Sequence, residues 1–240
     1  MANGIYAAAA GMAAQETNLN AIANDLANVS TTGFKSERVG FENLLASSQG
    51  GIGVGGGAAA LDAGPSDAQG QLAPSSNPLA LAISGPGYFQ VRQADGSIGL
   101  TRDGNFQVDA SGTLVTDSGD RLVPPIKLPA GVQPSQVSIS SAGTVSAQGK
   151  TLGTIQLVDV PATSGLLNVG ANVYATTAAS GAATPVTGST LSQGELEGSD
   201  VNVSQEMTDM LNAQQNYSML SQVLSTQDQM LQIANELPQK

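Results

Sequence analysis

Small or aliphatic side chains recur at alternating spacings of three and four through Ile5, Ala8, Met12, Gln15, Leu19, Ile22, Leu26 and Val29. That is the repeat of a heptad seam along one face of a helix. Asn3 stands where a cap would start this helix, and Gly33, after Ser30-Thr31-Thr32, where a stop would end it. The seam is weak, because Ala8 is small, Gln15 is polar, and Asn18, Asn20, Asn24 and Asn28 flank it in place of salt-bridging Glu and Lys. Alone it is expected to be marginal. A second helical pattern follows Gly198-Ser199-Asp200, with apolar Val203, Met207, Met210, Leu211, Tyr217, Leu220, Leu224, Leu231 and Ala234 and no Pro before Pro238. Ser199 or Asp200 is its expected cap. Its apolar stripe needs a partner surface, and the N-terminal helix is the natural candidate.

Between the helices the period changes to two. Runs such as Tyr88-Phe89-Gln90-Val91, Ile98-Gly99-Leu100-Thr101, Phe106-Gln107-Val108 and Thr113-Leu114-Val115 are separated by Asp95-Gly96, Asp103-Gly104 and Asp109-Ala110-Ser111-Gly112. Asp-Gly between alternating runs predicts hairpins. Tyr88, Phe89, Phe106 and Tyr174, with Phe41 as a further candidate, are the expected aromatic anchors. Residues 42–46 read as helix-like, and the Gly-rich stretch after them as a flexible or extended linker. The expected architecture is therefore α+β, with N- and C-terminal helices forming a coiled-coil pair and a central all-β domain. Its expected divisions are an N-terminal helix and assembly motif over 1–46, a linker over 47–75, the β-domain over 76–194 and a C-terminal coiled-coil helix over 195–240.

Composition narrows the chemistry. With 3% aromatic and 11% charged residues the chain cannot build a dense aromatic core or a salt-bridge-laced surface. A formal charge of −11, with Lys and Arg together numbering 8, repels a phosphate backbone, so no nucleic-acid partner is expected. Zero His and zero Cys remove the imidazole base, the thiolate nucleophile and thiolate metal sites. No catalytic residue, cofactor or metal is expected, and the chain is not read as an enzyme. The start Met1-Ala2-Asn3-Gly4-Ile5 carries no basic residue until Lys35, so export without a cleaved signal peptide is expected. The apolar run from Ile5 to Ala14 is too short to span a bilayer, so no membrane insertion is expected.

Three motifs have plain explanations. Gly51-x-Gly53-x-x-Gly56 matches the spacing of a dinucleotide fingerprint but lacks the strand before it and the helix after it, so it reads as linker. Asp95, Asp103, Asp109, Asp117 and Asp120 lack the alternation of a calcium loop and read as turn residues. Ser30, Thr31 and Thr32, with only Lys35 nearby, read as helix-end capping groups.

The residues also carry a resemblance. Asn24-Asp25-Leu26-Ala27-Asn28-Val29-Ser30-Thr31-Thr32-Gly33-Phe34-Lys35 resembles the N-terminal signature of flagellar rod and hook proteins. The likeness continues through Asn77-Pro78-Leu79-Ala80-Leu81-Ala82-Ile83, Gly87-Tyr88-Phe89-Gln90-Val91 and Thr101-Arg102-Asp103-Gly104-Asn105-Phe106. It closes with Gln193-Gly194-Glu195-Leu196-Glu197-Gly198-Ser199-Asp200-Val201-Asn202-Val203 and Thr226-Gln227-Asp228-Gln229-Met230-Leu231. Coverage is essentially the whole chain, and the combination looks most like basal-body rod proteins of the distal-rod kind.

What the resemblance implies is a structural subunit of the bacterial flagellar basal body, assembling helically with itself and with other rod and hook subunits after passage through the flagellar export apparatus. A proximal-rod or hook-type subunit is the competing member, and an extracellular binding or adhesin module the competing class. The assembly interface implied comprises Asn24, Leu26, Ala27, Asn28, Thr32, Gly33 and Phe34 at one end, and Met207, Met210, Leu211, Tyr217, Leu220, Leu224 and Leu231 at the other. Two departures stand out: Gln214-Gln215-Asn216-Tyr217 replaces the family's Gln-Arg-Ala-Tyr, and Ala80 stands where an acid is common.

Overall fold

A computed structural model describes residues 2–45 and 55–236. The chain divides into two compact units, one formed by Met1–Ala27, Glu37–Ala63 and Asn202–Lys240, the other by Asn28–Ser36 and Gly64–Val201. The observed class is α+β.

The first unit holds two long helices, α1 (Ala2–Ala27) and α2 (Val203–Glu236), and most of a two-stranded sheet of β1 (Glu37–Leu45) and β2 (Gly55–Pro65). The helices run antiparallel with glycines at the approach. A Cβ at Gly4 would stand 2.7 Å from Gln227 Nε2, and one at Gly11 would stand 3.3 Å from Leu220 Cδ1. Alanine does the same elsewhere, with Ala8, Ala14 and Ala21 buried beside Ile22. Of the expected seam, Ala8 and Ile22 are buried and Ile5, Met12, Gln15, Leu19 and Leu26 half-buried. Gly57 of β2 passes tight against α1, where a Cβ would meet the Ala10 methyl at 2.7 Å. Buried Asp25 accepts the Glu37 N–H with both oxygens, at 3.1 and 3.3 Å. β1 thereby begins on a carboxylate supplied by the last turn of α1.

Several local expectations are corrected here. α1 begins at Ala2, so Asn3 lies within it, and it ends at Ala27, before Asn28, Val29 and Gly33. α2 is capped by Asn202, whose Oδ1 accepts the Ser204 and Gln205 N–H groups at 3.1 and 3.3 Å, in place of Ser199 or Asp200. The helix-like reading of residues 42–46 fails where β1 runs through Leu45. Branched and aromatic Val39 and Phe41 favour a strand, and the Glu42-Asn43-Leu44-Leu45 pattern is too short to nucleate a helix. The Gly-rich stretch carries β2 and also β3 (Leu72–Pro74). Its small residues are what a strand lying close to α1 requires. Gly51 and Gly53 lie outside the described residues. Phe41 is 50% exposed and anchors nothing.

The second unit is β-rich. Its largest sheet, of nine strands, includes β5 (Tyr88–Arg92) paired antiparallel with β6 (Ile98–Thr101) across the Asp95-Gly96 turn. Gln107–Val108 pairs with Leu114–Val115 across Asp109–Gly112. Asp103-Gly104 joins no hairpin. A Cβ at Gly104 would fall 1.7 Å from the Leu81 carbonyl oxygen, so glycine is there to let two backbones touch. A three-stranded sheet covers Val137–Ile139, Thr144–Ala147 and Lys150–Thr154, β4 (Leu81–Ser84) pairs with Thr190–Gln193, and β3 pairs with Glu195–Glu197. The core is small and aliphatic around Phe89 and Phe106, whose rings meet edge to face at 5.1 Å, with a second cluster around Tyr88, Leu100 and Tyr174.

Candidate functional site

Most of the signature segments of the sequence, from Asn28 to Lys35 and from Asn77 to Val201, lie inside the second unit. After Asn28, whose Oδ1 accepts the Thr31 hydroxyl at 3.2 Å, the chain turns through Gly33. There φ is +66° and a Cβ would lie 2.4 Å from the Asp103 nitrogen, so only glycine fits. The Gly33 N–H donates to the Glu197 carbonyl at 2.8 Å. Thr32 donates its hydroxyl to Asp103 at 3.2 Å, and its carbonyl accepts the Asn172 amide at 3.0 Å. Burial raises the Asp103 pKa, an effect that nearby Asp117 reinforces and the bonds from Asn105 and Thr32 oppose. Phe34 is buried, and the Ser36 N–H and hydroxyl reach the two Asp200 oxygens at 2.7 and 3.3 Å.

At the centre is a buried ion triad. Lys35 Nζ stands 2.5 Å from Glu197 Oε1, across 162 positions of sequence, and also donates to the Ala68 carbonyl at 2.6 Å. Arg102 Nη1 reaches Glu197 Oε2 at 3.1 Å, while its Nη2 donates to the Gly85 carbonyl at 3.0 Å. The Gly70 N–H completes the shell of Glu197 at 3.0 Å. All three charged side chains are almost wholly shielded from solvent.

Two cations thus face one carboxylate, and the surplus charge is met by a ring. The Arg102 guanidinium lies over Tyr88, 5.3 Å from the centroid. Burial drives the Tyr88 phenol up to about 12, Arg102 opposing the rise and Asp67, Asp159 and Glu197 adding to it. Arg102 Nε is buried without a hydrogen-bond partner. Every oxygen of Glu197 and the Lys35 ammonium are engaged in holding chain segments together, so neither is free to act as base or nucleophile. Among the described residues there is no group of three or more metal-ligating side chains, and no helix is long and apolar enough to cross a membrane.

The expected interface residues do not form one cluster. Thr32, Gly33 and Phe34 meet Glu197, Arg102 and Asp103 in the second unit. In the first unit, Asn24 is exposed near the end of α1, Leu26 half-buried and Ala27 exposed, with Asn28 beyond the helix. On α2, Met210, Leu220 and Leu224 are half-buried while Met207, Leu211 and Tyr217 are exposed. Leu231 lies on α2 with its side chain outside the described residues. Lys35, Arg102, Glu197 and Asp200 stand within the signature segments but were not singled out as site residues. The signal that marks them is their charge within segments of small and apolar residues, in a chain with only 11% charged positions.

The comparisons with known proteins follow the same segments. Residues 5–35 match the family described as flagella basal body rod protein, 82–147 the flagellar hook protein FlgE/F/G D1 domain, and 192–237 the flagellar basal body rod FlgEFG protein C-terminal region. The chain is 38% identical to the flagellar basal-body rod protein FlgG of Buchnera aphidicola subsp. Acyrthosiphon pisum, over 95% of this chain and 96% of that one. It is 38% identical to FlgG of Caulobacter vibrioides, over 96% and 97%. Against the rod protein FlgF of Escherichia coli the identity is 31%, over 99% and 98%. With such relatives matched almost end to end and all three signature regions present, the chain belongs to the flagellar basal-body rod protein family.

Proposed function

We propose that this structural subunit of the flagellar basal-body rod assembles helically with copies of itself through its terminal helices, building a torque-transmitting axial tube, with the β-rich unit as a body held by the buried triad. The observation that carries the reading is the outer face of α2. Val203, Met207, Leu211, Met219, Val223, Met230 and Ile233 are exposed there, while the second unit buries its own aromatics. Exposed apolar stripes of that size on a helix mark a partner surface.

Coiled-coil pairing of α1 with α2 is part of the same proposal. It is supported by Gly4 and Gly11, seven residues apart, facing Gln227 and Leu220, also seven apart. A distal-rod position is supported by the higher identity to FlgG relatives than to E. coli FlgF. Other rod and hook subunits and the flagellar export apparatus are the remaining partners that this reading implies.

The test is sedimentation of the purified full chain across a concentration series. Wild type should pass from a monomer to large assemblies. Met207→Asp combined with Leu211→Asp should stay monomeric with an unchanged β-unit melting temperature, because both side chains are already exposed in the single chain. A double variant that assembles like wild type overturns the reading.

A further inference from the structure

Methionine ranks among the side chains most often buried, yet three of this chain's six methionines stand on the surface of α2, Met207 at 55%, Met219 at 60% and Met230 at 57% exposed. Met210 on the same helix and Met12 on α1 are half-buried. The three exposed sulfurs are not scattered around the helix. At about 100° per residue, Val203 and Leu211 lie ~40° to either side of Met207, and Val223 and Ile233 lie ~40° to either side of Met219, with Met230 ~20° from it. A thioether therefore occupies the middle of each exposed apolar stripe, with a branched aliphatic side chain on each flank.

The chain has no cysteine, so no thiol competes with these thioethers for an oxidant. A lone pair of an exposed methionine sulfur attacks the terminal oxygen of a hydroperoxide, the O–O bond breaks, and the proton carried over leaves with the other oxygen as water or an alcohol while S=O remains. Sulfur loses two electrons and the peroxide gains them. The product turns a flexible apolar side chain into a polar one. For the free chain the change costs little, since all three side chains already face water. Against an apolar partner surface it leaves an S=O acceptor without a donor, and burial of such a group is unfavourable. The middle of a stripe is where this matters most, because a group there cannot turn outward to the rim.

We propose that Met207, Met219 and Met230 are modification sites that make the outer face of α2 an oxidant-sensitive switch: a hydroperoxide converts the three thioethers of the free chain to sulfoxides and bars it from assembly, and thiol-dependent reduction restores it. In the reverse step two thiols take the oxygen off as water and leave as a disulfide, with a separate reductase for each sulfoxide epimer. The switch acts on free subunits. Copies already assembled through α2 keep these sulfurs covered, so an oxidant stops growth without dissolving what has been built. This inference rests on the assembly through α2 proposed above and adds the regulation of that face.

The test treats the full-length chain with hydrogen peroxide as a monomer, below the concentration at which it assembles, and locates each added oxygen by mass spectrometry of its peptides. Met207, Met219 and Met230 should each gain one oxygen before Met12 and Met210 do. The concentration needed for sedimentation as an assembly should then rise by about tenfold for each buried sulfoxide, with the helical circular dichroism unchanged. Methionine sulfoxide reductases A and B with dithiothreitol should return it to the starting value. A variant carrying Met207→Leu, Met219→Leu and Met230→Leu, which conserves apolar volume, should assemble equally before and after peroxide although Met1, Met12 and Met210 remain. First oxidation at Met12 or Met210, oxidised wild type that assembles at the untreated concentration, or a triple variant that loses assembly to peroxide would each overturn the switch while leaving assembly through α2 standing. Untreated wild-type chain that never assembles would sink the assembly reading itself, and the switch with it.

Discussion

Replacing Glu197 by Gln keeps its size and shape and removes the one negative charge of the buried triad. Glu197 is 1% exposed and accepts from Lys35, Arg102 and the Gly70 N–H. The variant leaves two buried cations without a counter-ion, a situation that costs about 3–5 kcal/mol. For a chain of this size each kcal/mol lowers the melting temperature by about 2–4 °C, so the expected drop is roughly 6–20 °C. The assay is thermal unfolding followed by circular dichroism in the β region, with guanidinium unfolding as the isothermal check. Lys35→Met supplies the internal comparison. It deletes the shorter ion pair, at 2.5 Å, yet leaves Arg102 and Glu197 as a neutral pair. Its loss should be limited to that of charged hydrogen bonds, about 1.5–3 kcal/mol. A Glu197→Gln loss under about 1 kcal/mol, or a Lys35→Met loss larger than that of Glu197→Gln, would refute the charge accounting.

Tyr88 should titrate well above an ordinary phenol, with its ultraviolet phenolate absorbance rising near pH 12. Because its pKa is raised on folding from 10, the neutral phenol stabilises the fold by about 2–3 kcal/mol below pH 10, and that contribution is lost as pH rises towards 12; a Tyr88 transition at pH 10 in folded protein would contradict this. Gly33→Ala combines a positive φ with a Cβ 2.4 Å from the Asp103 nitrogen and should abolish folding of the second unit or lower its stability by more than about 3 kcal/mol. Gly96→Ala has φ of +90° but nothing within 4 Å and should cost only about 1–2 kcal/mol by chemical denaturation; equal losses at the two glycines would show that contact at Gly33 plays no part.

What was legible in the sequence was whatever local periodicity controls. The seam from Ile5 to Leu26 and the apolar positions from Val203 onward are repeats that a helix must turn to one side or another, and both helices form. Asp95-Gly96 and Asp109–Gly112 make hairpins because the turn itself requires those residue types. The failures lie where a distant contact decides. The Gly-Ala run around Gly57 has the composition of a linker, yet it is a strand because small residues let it lie against Ala7 and Ala10. Asp103-Gly104 has the look of a hairpin turn, but its glycine answers to the Leu81 carbonyl. Neither constraint leaves a trace in neighbouring residues.

The site divides in the same way, and the division has a physical reason. Thr32, Gly33 and Phe34 were singled out because they belong to a signature, but nothing in the pattern of hydrophobic and polar positions says that Lys35 will be buried. A lone lysine after a turn ordinarily faces water, and only a carboxylate 162 positions away, already held by Gly70 and Arg102, makes its burial tolerable. Such a triad draws on early, middle and late stretches of the β-rich unit's own sequence, so it can close only when all three are in place. A purely apolar patch could hold the same segments at lower desolvation cost, but it would tolerate sliding by a residue in either direction. Paired charges with fixed hydrogen-bond geometry do not slide. Fixing Lys35 against Glu197 fixes the register of these segments within the β-rich unit.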